Sequence, residues 1–363
     1  MSPPATTAEL RDRLWAAVAD GDEQRAVDVV HGGLSGGASR ETLLLDVIAA
    51  VQEKVGVEWA ADRITVAQEH AATAINERVI ATLVPGRRTG DGDDVPLRGR
   101  VTVSCVDGEW HAFPARLVAE VLSLRGWRVD YLGAQTPTPH LVAHLHRTVP
   151  DAVLLSGSIA THLPAAHAAI TACQAIGVPV LAGGRAFGAD GRYARSLGAD
   201  EWAPDARSAA AALDAGLGRP DPAAARQPVD DLPHLADQEY TMVVQSRGQL
   251  VKQTVLDLET RFPGMRAYTD AQRERTAEDI AHIVDFLATA LYLDDAEVFT
   301  VFLSWTADVL DARHVPAHSV VTGLDVLADQ LRDFPRTLDL LRAGAAVLDR
   351  RPASDVPGPH TSV

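Results

Sequence analysis

Between residues 101 and 182 the chain alternates short β-branched runs with helical stretches, which restricts this region to a parallel sheet wrapped by helices. The runs are Val101–Cys105, Val129–Leu132, Ala152–Ser156 and Val178–Ala182. Helical segments fall between them at Ala115–Leu124, Thr138–Arg147 and Ala165–Ile176. Parallel strands of this kind bind ligands beyond their carboxyl ends, so the loops that leave the strands are where a site is expected.

The flanks have a different texture. Residues 7–84 carry apolar positions at three- and four-residue spacing, over Ala8–Asp20, Glu23–Leu34, Arg40–Val55 and Thr65–Leu83. Asp20-Gly21 and the glycines at 32, 33, 36 and 37 break them, and Ser39 is placed to cap the third. Four helices with short connections predict a small antiparallel bundle. Pro85–Arg98 and Gly216–Pro233, rich in Gly, Pro and Asp, read as linkers. Beyond the second, Gln238–Phe262, Ala271–Tyr292, Ala296–Ala312, Ser319–Phe334 and Thr337–Leu348 read as helices with no strand among them. The expected organisation is α/β plus all-α, in three domains: a helical cap over 1–86, a Rossmann-like domain over 98–217 and a helical domain over 236–350.

The formal net charge of −16 opposes a nucleic-acid-binding surface, which needs clustered Lys and Arg. Two cysteines, Cys105 and Cys173, cannot build a disulfide framework, and a reduced cytoplasmic protein is expected. Met1–Leu14 lacks the apolar core of a signal peptide, and no stretch reaches the roughly 18 uncharged apolar residues of a membrane span.

The loop after the first strand reads Glu109-Trp110-His111-Ala112-Phe113-Pro114. It places an imidazole at the carboxyl edge of the sheet. The third strand ends in Leu155-Ser156-Gly157-Ser158 and the fourth in Leu181-Ala182-Gly183-Gly184, where paired glycines permit close approach to the backbone. Together these features, over roughly 98–216, resemble the cobalamin-binding domain of methionine synthase and its relatives. That family carries Asp-x-His-x-x-Gly, a Ser-x-Leu segment and a Gly-Gly pair. The resemblance implies that His111 ligates cobalt from below, that Glu109 orients it, that Ser156 meets the buried base, and that Gly183 and Gly184 line the nucleotide tail. Two positions depart from the motif: Glu109 stands for Asp and Pro114 for Gly.

Upstream, Trp59 is followed after nine residues by Glu69-His70, with Val66 between. This pattern resembles the cap of adenosylcobalamin-dependent photoreceptors of the CarH type. The resemblance implies that Trp59 and Val66 pack around the upper adenosyl group and that Glu69 contacts its ribose. His70 would then take the upper cobalt position after light removes that group. The DNA-binding photoreceptors carry a winged-helix domain before the cap. This sequence begins close to its cap, so the expectation is a sensor that binds neither DNA nor membrane and signals through an unidentified downstream protein or a homo-oligomer.

The order of cap, cobalamin domain and helical domain resembles the photocobilins, which pair cobalamin with biliverdin. That implies a globin- or phycobiliprotein-like C-terminal domain. With no cysteine there, its bilin would be bound non-covalently. Arg275, His282, Trp305, Arg313 and His318 are the candidate bilin contacts, and haem on His282 or His318 is the alternative. No substrate turnover is expected. The rival readings are a corrinoid methyl-carrier protein of a methyltransferase system and a cobalamin-responsive adaptor.

Overall fold

The computed structural model describes residues 5–83, 98–220, 232–315 and 318–351, the side chain of His318 excepted. The chain divides into two compact units, 1–225 and 226–363.

The first unit opens with the cap. Helix α1 (Thr7–Ala19) begins at Thr6, whose hydroxyl accepts from the Glu9 amide while the Glu9 side chain returns to the Thr6 amide, a reciprocal capping box. Helix α2 (Glu23–Ser35) follows. Helix α3 runs through Arg40–Thr42, a π-helical stretch Leu43–Ile48 and Ala49–Ala60; Ser39 caps it, and the Ala49 amide donates to the Leu44 carbonyl. The sequence periodicity ended this helix near Val55; it runs one further turn, to Ala60, and so carries Trp59. Asp62, at φ 56°, turns the chain, and Thr65 with Gln68 forms a second capping box at the start of α4 (Val66–Leu83). Leu14, Val30, Leu43, Leu44, Ile48, Val55, Val79 and Ile80 form the bundle core.

The Rossmann-like domain follows. Strands β1 (Arg100–Cys105), β2 (Arg128–Gly133), β3 (Ala152–Ser156), β4 (Val180–Gly183) and β5 (Glu201–Ala203) form one parallel sheet in the order β2-β1-β3-β4-β5. Helices α5 (Ala112–Leu124), α6 (Thr138–Thr148), α7 (Leu163–Gln174), α8 (Arg192–Ser196) and α9 (Ala206–Ala215) make the crossovers and the final return. The order reverses between β1 and β3, and the crevice outside the strand ends at that switch point is where such sheets take ligands. Phe113, Leu117 and Val121 on α5, with Ala206 on α9, are buried in the same cluster as the cap core. Arg125 makes two hydrogen bonds to the Glu41 carboxylate, and Arg207 binds both Glu41 and Asp46.

Among the described residues, the second unit contains five long helices: α10 (Glu239–Arg261), α11 (Asp270–Leu293), α12 (Ala296–Ala312), α13 (His318–Gln330) and α14 (Pro335–Asp349). The buried Glu239 carboxylate accepts from the Arg336 and Thr337 amides and the Thr337 hydroxyl at 3.1, 2.8 and 2.7 Å, filling the donors at the start of α14. Helix α12, apolar almost all round in sequence, is expected to be buried on several sides. It is buried along Phe299, Phe302, Leu303 and Ala307, whereas Val301 and Trp305 stay exposed, because the neighbouring helices cover only one flank.

Candidate cobalamin site

The Glu109–His111 pair sits at the exit of β1. Gly108, at φ 85°, turns the chain out of the sheet, and Glu109 swings back into the interior with no exposed surface. Its Oε1 accepts from the His111 amide at 2.9 Å and lies 2.5 Å from His111 Nδ1. Its Oε2 accepts from the amides of Ser158 and Ile159, at 2.7 and 3.0 Å, in the loop after β3. Burial by itself raises a carboxyl, but the hydrogen bonds from His111, Ser158 and Ile159 outweigh it and hold Glu109 at about 2. The carboxylate is therefore charged, and because it engages His111 through Nδ1, Nε2 is the ring nitrogen left to face a ligand.

This answers the two departures from the motif. Glutamate is one methylene longer than aspartate, and here the extra length carries the carboxylate across the switch point, tying the exits of β1 and β3 together. Pro114 falls in the first turn of α5, whose N-cap is His111. A first-turn amide has no partner inside the helix, so proline costs no hydrogen bond there.

A cobalt corrinoid bound here would need one imidazole donor from the protein. One imidazole oriented through Nδ1 by a buried carboxylate, with Nε2 available, fits that requirement. Trp110, a residue to which sequence reasoning gave no role, lies with its ring centroid 3.8 Å from that of His111 and walls one side of the imidazole. Its position inside the motif was the available signal.

Ser156 ends β3 opposite Cys105 of β1, half-buried. The glycine pair has a tighter reason than ligand access alone. A Cβ on Gly184, at φ 97°, would lie 2.3 Å from the Gly157 carbonyl oxygen, and one on Gly183 would lie 3.0 Å from that of Ala203. The close approach visible here is therefore between segments of the chain itself, which fixes the loops around the strand exits.

The cap reaches the same edge. The turn at 185–187 follows Gly184, and Arg185 there binds Glu53 of α3 at 3.2 Å. Glu77 of α4 lies within electrostatic range of Tyr131 on β2. At the first turn of α4, Val66 is exposed, Glu69 half-buried and His70 64% exposed on its side chain. His70 Nδ1 contacts Glu69 Oε2, and Trp59 is half-buried in the last turn of α3. The Thr65–Gln68 capping box fixes where that helix begins and so sets all three positions.

In the second unit, His282 of α11 and Arg313 at the end of α12 both act on Asp279. Arg275 is exposed on α11, and Trp305 borders a hollow of about 370 Å³ with Thr300, Val301, Ser304, Asp308 and Val347. Of the bilin candidates, His282 and Arg313 thus meet at Asp279, Trp305 lies at the hollow and Arg275 at neither; the side chain of His318 lies outside the described residues.

A Rossmann-like sheet with an imidazole at its switch point, under a helical cap, defines a corrinoid-binding class of protein. Residues 99–214 match a family model described as a B12 binding domain, and residues 10–83 match a second model of the same description. The chain is a cobalamin-binding protein. It is 30% identical over 161 residues to the HTH-type transcriptional repressor CarA of Myxococcus xanthus, a match spanning 42% of this chain and 51% of that one. The trimethylamine corrinoid protein of Methanosarcina barkeri is 23% identical over 157 residues, covering 43% of this chain and 72% of that protein. The solved monomethylamine corrinoid protein of Methanosarcina barkeri aligns with 57% of this chain and 97% of its own, at 18% identity and a TM-score of 0.47. The match thus spans about half the length of the repressor. Among the described residues no helix is long and apolar enough to cross a membrane.

Proposed function

We propose that this protein is a light sensor that uses adenosylcobalamin, with a non-covalent biliverdin in the second unit extending its response to longer wavelengths. The observation that carries the reading is the first turn of α4, where an exposed imidazole and a carboxylate in contact stand beside Val66, one short turn after Trp59. Adenosylcobalamin supplies a cobalt–carbon bond that light breaks. His111 offers Nε2 as the lower donor, held by Glu109. Trp59 and Val66 supply apolar surface for the adenosyl group, Glu69 a carboxylate for its ribose, and His70 a second imidazole for the upper position. With an adenosyl group packed against Trp59 and Val66, its removal would take contacts from the cap and favour a shift of the cap against the Rossmann-like domain. The protein turns over no substrate, binds no nucleic acid, works in the cytoplasm and passes its signal to a partner protein or a further copy.

A second reading, a corrinoid methyl carrier, draws on the likeness to the trimethylamine corrinoid protein over 72% of that protein. One experiment separates them: absorption of the protein reconstituted with adenosylcobalamin and biliverdin, in darkness and after illumination. Photolysis with stable retention of the corrin, together with a separate red band, is the expected result. Corrin bands unchanged by light, with no bilin uptake, would favour the carrier.

A further inference from the structure

A polar row runs from the interior of the cap to its surface. Asn76 Nδ2 donates to Gln52 Oε1 at 2.8 Å, Gln52 Nε2 donates to Thr73 Oγ1 at 2.7 Å, and the Thr73 hydroxyl donates to Glu69 Oε1 at 3.0 Å. Glu69 Oε2 then contacts His70 Nδ1. Asn76 is fully buried, and its Oδ1 has no hydrogen-bond partner among the described residues. Joining α3 to α4 does not require this: apolar side chains of similar size would pack the two helices without burying an amide.

The direction of the row is informative. All three hydrogen bonds donate toward the Glu69 carboxylate, so each dipole strengthens the next and the positive end of the row faces the anion. With Oε1 held by Thr73, Oε2 is left to hold His70 through Nδ1, which turns Nε2 of His70 outward. His111 is arranged in the same way by Glu109. The difference lies in the support. Glu109 is gripped by backbone amides of Ser158 and Ile159, whereas Glu69 is gripped by a relay of side chains bridging two cap helices.

We propose that Gln52, Thr73 and Asn76 are positioning residues that hold Glu69 and, through it, set the readiness of His70 to occupy the upper cobalt position. This rests on the reading of His70 as the upper ligand. A relay that spans α3 and α4 also ties that readiness to the packing of the two helices, so that a shift of one against the other breaks the row at Gln52.

The test uses the full chain loaded with hydroxocobalamin in darkness, following the corrin bands as water on the upper face is replaced by an imidazole. His70→Ala examines the underlying reading: if wild type and His70→Ala give the same spectrum, that reading fails and the proposal with it. If only His70→Ala lacks the shift, Thr73→Val, which keeps shape and removes the hydroxyl, is expected to lower the extent of His70 ligation by about tenfold. Thr73→Ser is expected to restore it. Gln52→Met, which cannot donate, is the second variant should Thr73→Val fail to load corrin. Wild-type band shifts in both loaded variants, with only the melting temperature changed, would overturn the proposal and leave the row as a device of helix register.

Discussion

At the scale of single residues, the site depends on one buried carboxylate with more bonds than a lone ion pair would have. Glu109 serves His111 twice and the Ser158–Ile159 loop twice, so removing its charge loosens the ligand and a strand exit together. Glu109→Gln keeps the length but exchanges an oxygen acceptor for an amide donor, which meets donors already in place. We expect hydroxocobalamin affinity to fall by about 10- to 100-fold, read by spectroscopic titration. Unchanged affinity would mean that the backbone alone orients His111. Gly184 is the other sensitive position. Gly184→Ala places a Cβ against the Gly157 carbonyl in a backbone conformation costly for any L side chain, and should cost at least about 2 kcal/mol in urea unfolding of the first unit. A loss below half of that would show that the two loops separate easily.

Elements carry the next set of consequences. Helix α14 begins on Glu239, whose carboxylate replaces the partners its first amides lack. Glu239→Ala leaves the part-buried Arg336 amide and the buried Thr337 amide and hydroxyl without that acceptor, and about 3 kcal/mol of stability should be lost from the second unit. Chemical denaturation of the full chain should show a lower-midpoint transition for that unit with the cobalamin spectrum unaltered; a single unshifted transition would contradict this role. The π-helical stretch of α3 has a comparable part in the cap. It lies between Glu41 and Trp59, so the extra residue it accommodates sets the phase of every later position on that helix, including Gln52 and Trp59.

Over the first unit as a whole, the cap is fastened to the Rossmann-like domain by a shared apolar cluster and by Glu41 and Asp46 with Arg125 and Arg207. Hydrogen bonds from Arg125 hold Glu41 below the usual carboxylate range, and those from Arg207 do the same for Asp46. A carboxylate lowered by folding stabilises the folded state above its ordinary value and loses that contribution as pH falls through its folded one. Acidification below about pH 4.5 should therefore weaken the attachment. The groups are partly exposed, so the effect is about 1 kcal/mol at neutral pH. Thermal unfolding of wild type and Glu41→Gln across an acid series checks it. The advantage of wild type should shrink as pH falls, and an advantage constant down to about pH 3 would rule the clamp out.

Much of this molecule is legible in its sequence, because periodicity reports burial and burial is what elements are made from. The first four strands, the long helices and the Glu109-Trp110-His111 loop can be placed by residue pattern alone, as can Ser39 and its capping hydroxyl. What escaped are features with little sequence of their own. Strand β5 has three residues and α8 five, too short for a period to declare itself, and the buried stripe of α9, Ala206, Ala209, Ala210 and Leu213, is almost all alanine in an alanine-rich stretch. The exposure of Val301 and Trp305 is a property of how far neighbouring helices extend, which no single helix encodes. The relay from Asn76 to Glu69 pairs residues up to 24 positions apart, and polar residues on an apolar face carry no mark of their partners. The sequence by itself determined the classes of element, the order of the domains and the imidazole at the edge of the sheet, since these follow from local pattern and spacing. Only the tertiary structure decided which oxygen holds which nitrogen, that the paired glycines yield space to the chain's own carbonyls, and that the cap's polar row points toward Glu69. Those depend on distances between segments remote in the chain.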